Sequence, residues 1–416
     1  MVKLMILKVS KSSSLNGDIY ISGSKNAAMP CICAALLTKQ KVVIENIPDI
    51  VDVNNLLIII KKLGVKVKRE DDVVTIQAKK IKTKVLNDLV ETLRGSYYLM
   101  GSILSRKNKL KIKYPGGCNI GDRPIDYHLK AFEELGFNVL EEENKIIIKE
   151  IKRTSKDITF PKISMGATIN ILLLASTFTS EVKITNPSLE PEVLCLINML
   201  KKMGVSIDII DKQIIIKGNK KLKGTSHKII YDRIEAGSYI YLAGAIQKSK
   251  VYIHNAPIDH LQTVIMVARK MGIIVYKKDD ILVVEGNKGI KKINLLIGEY
   301  PFFPTDLQQI ITVVLTKAKS SSTIEDPIFP NRIYHIKELK KMNAYIYEQN
   351  QVIHIKPCIL SPGIVYATDL RCAFALIIAG AITKGTTYIK DIDYLFRGYV
   401  NPIKKLRYIG VNVELL

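Results

Sequence analysis

No apolar run in this 416-residue chain is long enough to span a bilayer, although 47% of its residues are hydrophobic. The apolar stretches are therefore expected to line a soluble interior, which excludes a membrane partner. Met1 to Ser14 carries lysines but neither a continuous apolar core nor a cleavage signal, so no secretory peptide is expected. Cysteine is scarce and dispersed, at positions 31, 33, 118, 195, 358 and 372. No CxxC or Cys/His spacing suggests zinc, and the six histidines are equally scattered. No metal and no cofactor are expected, and a reduced cytoplasm is the expected compartment. The chain also lacks a concentrated basic tail or a basic patch interleaved with aromatics. A net charge of +23 would otherwise suggest nucleic acid. Its lysines instead alternate with acids and apolar residues, which reads as a solvated surface or as attraction for small anionic substrates.

Arginine is the scarcer base, at 11 of the 62 basic residues. Arg94, Arg123, Arg233, Arg332, Arg371 and Arg397 fall within Gly-, Asp- or Pro-containing motifs. A chain that uses Lys freely keeps Arg where a planar, two-pronged donor is needed, as for carboxylate or phosphate. Asp232-Arg233 and Asp369-Arg371 could alternatively be structural ties.

The segment Pro115-Gly116-Gly117-Cys118-Asn119-Ile120-Gly121-Asp122-Arg123-Pro124 sets a lone cysteine among glycines. Three glycines in six positions predict a loop rather than a core element. Arg123 and Lys113 would favour a thiolate at Cys118. A free cysteine in a surface turn is the alternative.

The chain is also internally repetitive. Near-apolar helical runs end at Gly64, Gly136, Gly204, Gly272, Asn343 and Gly410, spaced by 72, 68, 68, 71 and 67 residues. Glycine, and next best asparagine, suits the left-handed position just past a helix. Each copy reads as helix, strand, helix, strands, with a first helix apolar nearly all round and so buried. Six such units cannot share one core, and three per domain is the natural partition.

The architecture and the cysteine loop together resemble the enolpyruvyl transferases, in the branch that uses UDP-N-acetylglucosamine. The resemblance covers essentially the whole chain. It rests on Ser24-Lys25-Asn26-Ala27-Ala28, Gly116-Gly117-Cys118 to Asp126, Ser164-Met165-Gly166-Ala167-Thr168, Asp232-Arg233-Ile234-Glu235, Pro304-Thr305-Asp306, Asn331-Arg332, Asp369-Leu370-Arg371 and Arg397-Gly398-Tyr399. It implies an α/β fold of two inside-out α/β barrel domains built from six repeats of about 70 residues, three per domain. One domain would be 22–231 with the Cys118 loop, the other 1–21 with 232–416.

The implied reaction moves an enolpyruvyl group from phosphoenolpyruvate to the 3-hydroxyl of UDP-N-acetylglucosamine, releasing phosphate, the first committed step of peptidoglycan synthesis. By the resemblance, Cys118 delivers a proton to C3 and Asp306 is the candidate base for the hydroxyl. Lys25, Arg123 and Arg397 would hold the phosphate of phosphoenolpyruvate and Arg332 with Arg371 its carboxylate, Asn26 assisting. Arg94, Arg123, Pro124, Ile125, Asp126, Tyr127, Lys162, Ile163, Ser164, Met165, Gly166, Asp306 and Ile328 would contact the nucleotide sugar. The resemblance also implies inactivation by fosfomycin, an epoxide, at Cys118.

Ser164 to Gly166 could instead only cap a buried helix, and Asp369 could only orient Arg371. The sequence departs from the family pattern at Asp122, Cys195, Phe302 and Phe396. Two other readings are a 3-phosphoshikimate enolpyruvyl transferase, against which the Gly-Gly-Cys loop counts, and a non-catalytic nucleic-acid-binding protein on the same scaffold.

Overall fold

Six positions where glycine or asparagine closes a helical run all adopt the left-handed backbone. Gly64, Gly136, Gly204, Gly272 and Gly410 have φ between 86° and 99°, and Asn343 has φ 61°. Each ends a helix and admits a strand, so the sequence period of about 70 residues is a structural period. The computed structural model describes residues 5–116, 124–286 and 289–416. Cys118, Asp122 and Arg123 lie outside the described residues.

The chain divides into two compact units. One comprises residues 23–116 and 124–230, the other residues 5–22 and 231–416 of the described chain. In the 23–230 unit the helices Lys25–Ala34, Tyr98–Leu104 and Met165–Ala175 pack on one another as the centre. In the second unit Arg233–Ala245, Gln308–Leu315 and Leu370–Ile382 do the same. Every residue from Arg233 to Ala245 is buried, as is every residue from Gly166 to Ala175. Helices without a polar face have nowhere stable to go but a core. The outer helices are amphipathic, as in Pro191–Lys202, whose buried side carries Val193, Leu196, Met199 and Leu200.

Each repeat contributes one four-stranded sheet, six in all among the described residues. In the first, Lys41–Glu45 pairs antiparallel with Val73–Gln77, which pairs antiparallel with Lys66–Glu70. Alternation places Val42, Ile44, Val74 and Ile76 inward, all fully buried. The fourth strand comes from the far end of the unit: Ser226–Lys228 pairs parallel with Lys41–Glu45 and closes the ring of three repeats. Helices inside and sheets outside make each unit an inside-out α/β barrel, as expected.

The second unit is completed from the other end of the chain. Ile6–Ser10 lies between Thr386–Lys390 and Asn412–Leu415, antiparallel to both. Asn16–Tyr20 pairs parallel with Lys250–His254. The crossings between units are pinned within each unit. Ser24 N–H donates to Ile230 O at 2.8 Å, and Asp232 N–H to Ser22 O at 2.9 Å. Buried Glu235 accepts from Ser22 N–H at 2.9 Å and from Lys405 Nζ at 2.6 Å. No helix among the described residues is long and apolar enough to cross a membrane.

Candidate active site

The second unit gathers three of the expected residues into one cluster. Asp306 sits in the short 3-10 turn Thr305–Leu307 that opens the central helix Gln308–Leu315. Its Oδ1 accepts from Arg332 Nη2 at 2.9 Å and its Oδ2 from Arg371 Nη2 at 3.0 Å. Both arginine side chains are nearly inaccessible, at 4% and 2%, while Asp306 keeps 24%. Burial pushes the Asp306 carboxyl up, but the charges of Arg371 and Arg332 outweigh it and hold it far below the usual carboxylate range.

The two guanidiniums are fixed from behind. Arg332 Nη1 donates to Thr305 O at 2.7 Å and to its Oγ1 at 3.1 Å, and Thr305 Oγ1 donates to Asp326 Oδ2 at 2.6 Å. Arg371 stands over the Tyr399 ring at 5.3 Å, and the Tyr399 hydroxyl shares a hydrogen bond with Ser238 Oγ at 2.8 Å. Arg332 Nε, Arg371 Nε and Arg371 Nη1 are buried with no hydrogen-bond partner among the described residues. Two buried cations thus share a single carboxylate.

Asp369 caps the helix Leu370–Ile382, accepting from the N–H groups of Arg371 and Cys372. Its other oxygen accepts from Gln309 Nε2 at 2.9 Å, so it ties the backbone at Arg371 rather than the guanidinium. Arg397 ends the turn Ile392–Arg397 and is half-buried; the next residue, Gly398, lies against Leu370 and Arg371. Ile328 is half-buried, its N–H donating to Asp326 Oδ1 at 3.1 Å. Phe302 is 62% exposed and Phe303 buried, so the bulk added at 302 faces solvent rather than the core.

The 23–230 unit carries the other described candidates near the starts of its helices. Ser24 caps Lys25–Ala34 by accepting from Ala27 N–H. Lys25 Nζ pairs with Asp52 Oδ2 at 2.9 Å, and both side chains are largely buried. Sequence reasoning missed Asp52 as the partner of Lys25; its signal is its place in the first turn of Val51–Lys62. Asn26 is half-buried beside Lys25.

Arg94 reaches the described residues on both sides of positions 117–123. Its Nη1 donates to Pro115 O at 3.3 Å and its Nη2 to Pro124 O at 3.5 Å. Gly116 is fixed by a close approach: a Cβ there would stand 1.5 Å from Glu91 O, which no side chain tolerates. Beyond the loop, Pro124 and Asp126 are exposed and Tyr127 is half-buried, its ring 6.4 Å from Phe160. Ile125 is buried, so its side chain belongs to the core and not to a ligand surface.

Lys162 and Ile163 are exposed, and Met165 is half-buried. Ser164 does cap Met165–Ala175, accepting from Ala167 N–H. Gly166 lets His128 and Tyr97 close against that helix, since a Cβ would meet each at 2.9 Å. His128 Nδ1 bonds Asn170 Nδ2 at 2.8 Å, and burial first and the Arg94 charge second pull its pKa down to about 3.

The chain matches the family model described as EPSP synthase (3-phosphoshikimate 1-carboxyvinyltransferase) over residues 9–406. It is 39% identical over 402 residues to a UDP-N-acetylglucosamine 1-carboxyvinyltransferase of Halothermothrix orenii, covering 96% of this chain and 97% of that one. It is 38% identical over 411 residues to UDP-N-acetylglucosamine 1-carboxyvinyltransferase 2 of Bacillus subtilis, covering 98% and 96%. The enolpyruvyl transferase NikO of Streptomyces tendae superposes with a TM-score of 0.89 at 20% identity over 99% of both chains. EPSP synthase of Acinetobacter baumannii gives 0.77 at 16% identity over the whole of both. The last two are alike in fold. With a family model matched over residues 9–406 and relatives matched nearly end to end, this chain belongs to the enolpyruvyl transferase family.

Proposed function

We propose that the chain transfers the enolpyruvyl group of phosphoenolpyruvate to the 3-hydroxyl of UDP-N-acetylglucosamine and releases phosphate. The observation that carries this reading is the Asp306 carboxylate held between the buried guanidiniums of Arg332 and Arg371. That arrangement suits a small carboxylate substrate, which takes over the two cations and frees Asp306. Until then Asp306 is a poor base, because its proton affinity is suppressed by both arginines. Substrate binding would thus raise its affinity for the hydroxyl proton at the step that needs it.

In the addition step, the 3-oxygen loses its proton to Asp306 and bonds to C2, while C3 gains a proton from Cys118. In the elimination step, a C3 proton passes to the Cys118 thiolate, the double bond reforms and the C2–O bond to phosphate breaks, the departing phosphate taking up the proton held by Asp306. Lys25, Arg123 and Arg397 serve the phosphate as it takes up negative charge, with Asn26 beside Lys25. Arg94, Arg123, Pro124, Asp126, Tyr127, Lys162, Ile163, Ser164, Met165 and Gly166 serve the nucleotide sugar, together with Asp306 and Ile328. For Ile125 that role falls to the main chain. The acceptor is supported by relatives at 36–39% identity whose names specify UDP-N-acetylglucosamine. On this reading the protein works in the cytoplasm at the entry to peptidoglycan synthesis, and so bears on cell shape and division.

The test is phosphate release from phosphoenolpyruvate, with UDP-N-acetylglucosamine and 3-phosphoshikimate supplied separately. Release with the nucleotide sugar alone supports the proposal. Release with the shikimate ester alone, or with neither, overturns it.

A further inference from the structure

We propose that Cys31, Cys195 and His227 form a buried site for a thiophilic d10 metal ion, Zn(II) or Cu(I). Their donor atoms lie within 4.8 Å of one another, and all three residues are buried. Cys31 is inaccessible, Cys195 is 3% exposed and His227 5%. Cys195 Sγ and His227 Nε2 are 3.2 Å apart. Metal–sulfur and metal–nitrogen bonds of about 2.0–2.3 Å require donors roughly 3.3–4 Å apart. A separation of 3.2 Å for one pair, with all three donors within 4.8 Å, is close to that requirement.

Without a metal, Cys195 Sγ and His227 Nε2 share a hydrogen bond. Two thiols and an imidazole are soft donors that select zinc or monovalent copper over magnesium or calcium. Binding displaces two thiol protons. With Zn(II) the two thiolates leave a neutral complex with one position open; with Cu(I) the three donors complete a trigonal set.

The donors come from three elements. Cys31 is in Lys25–Ala34, Cys195 in Pro191–Lys202 and His227 in Ser226–Lys228. The two helices pack together, and the strand is the one that closes the ring of repeats. An ion there would tie the first repeat to the third where the ring closes. Entry through a closed core is slow, so the ion would be acquired as the unit folds.

The experiment uses the full chain carrying Cys118→Ala, which removes the loop thiol as a competing ligand. The protein is refolded without oxygen in the presence of Zn(II) or of Cu(I), each buffered by a chromophoric chelator, and then desalted. Retained metal is counted and its shell read by X-ray absorption. The expected result is one equivalent of one of the two ions, with two sulfurs and one nitrogen in its shell. Adding Cys195→Ser or His227→Gln should weaken retention at least tenfold, with folding checked by circular dichroism in the metal-free state. X-ray absorption of the Cys118→Ala chain keeps the test decisive even if those variants do not fold. No retained ion of either kind, or a shell without two sulfurs and a nitrogen, overturns the proposal.

Discussion

Replacing Asp306 with Asn removes a charge while keeping the side-chain shape, and it leaves Arg332 and Arg371 facing each other unpaired. At 2.9 and 3.0 Å, each pair carries roughly 5–6 kcal/mol of Coulomb energy at an effective dielectric constant of about 20. Most of that is offset by desolvation, and breaking a buried pair by removing one partner costs about 3–5 kcal/mol. Because Asp306 is 24% exposed, the lower end applies, about 3 kcal/mol in the unit that holds it. Phosphoenolpyruvate at a hundred times its Kd should return about 2.7 kcal/mol. The variant should therefore gain more from the ligand than the parent, whose own carboxylate must be displaced first. Turnover should fall about 10²–10⁴-fold with the base gone. Guanidinium unfolding with and without phosphoenolpyruvate reads the first effect, and phosphate release reads the second. A variant as stable as its parent and no better protected by the ligand would refute the account of two unpaired cations awaiting an anion.

Gly116→Ala drives a Cβ into the main chain at Glu91, so the loop stem must shift; activity should drop more than tenfold, with a stability loss of about 1–3 kcal/mol seen in denaturant titration. His128 and His335 are each depressed to about 3, by burial first. The unfolded chain binds their protons near pH 6.5 and the folded chain does not, so stability rises with pH across that window. Between pH 6 and 4 unfolding free energy should fall by about 1.4 kcal/mol per unit for each histidine, and His128→Gln should flatten the slope of its own unit. The Asp306 pairing has the same sense in a lower window: its carboxyl is also depressed, so its stabilisation is present above the unfolded carboxyl value and is lost as pH falls below it, adding little slope between pH 6 and 4. Epoxide treatment should add one mass adduct that Cys118→Ala abolishes, and an unmodified parent would show the thiol is not an accessible nucleophile.

The repeat was legible because its signal is local: a left-handed residue after a helix is dictated by a few neighbouring bonds, and Asn343 keeps it without glycine. All-round apolar runs likewise announced their burial within Met165–Ala175 and, from Gly237 on, within Arg233–Ala245, while the buried Arg233 and Glu235 gave no such signal. The pairing of Ile6–Ser10 into the sixth sheet could not be derived from periodicity, because strand partners are chosen by the whole topology. The same holds for the sites. Motifs nominated Asp306, Arg332 and Arg371 separately, yet only the fold shows one carboxylate shared by both arginines. The Cys31, Cys195 and His227 group left no spacing signature, since its donors come from separate elements. Asp52 offered no motif, being one acid in a first turn like many others.

The strand Ile6–Ser10 also sets a timetable. Ser10 meets Thr386 across 376 residues of chain. At about 5–20 residues per second, a ribosome needs roughly 20–75 seconds to make its partner. Throughout that interval Leu7 and Val9, destined for full burial, have no sheet to join. The 23–230 unit meanwhile has all its strands and can close its ring while the other is still being synthesised. Newborn chains should therefore pass through a half-finished stage in which one barrel is protease-resistant and the other still invites chaperones.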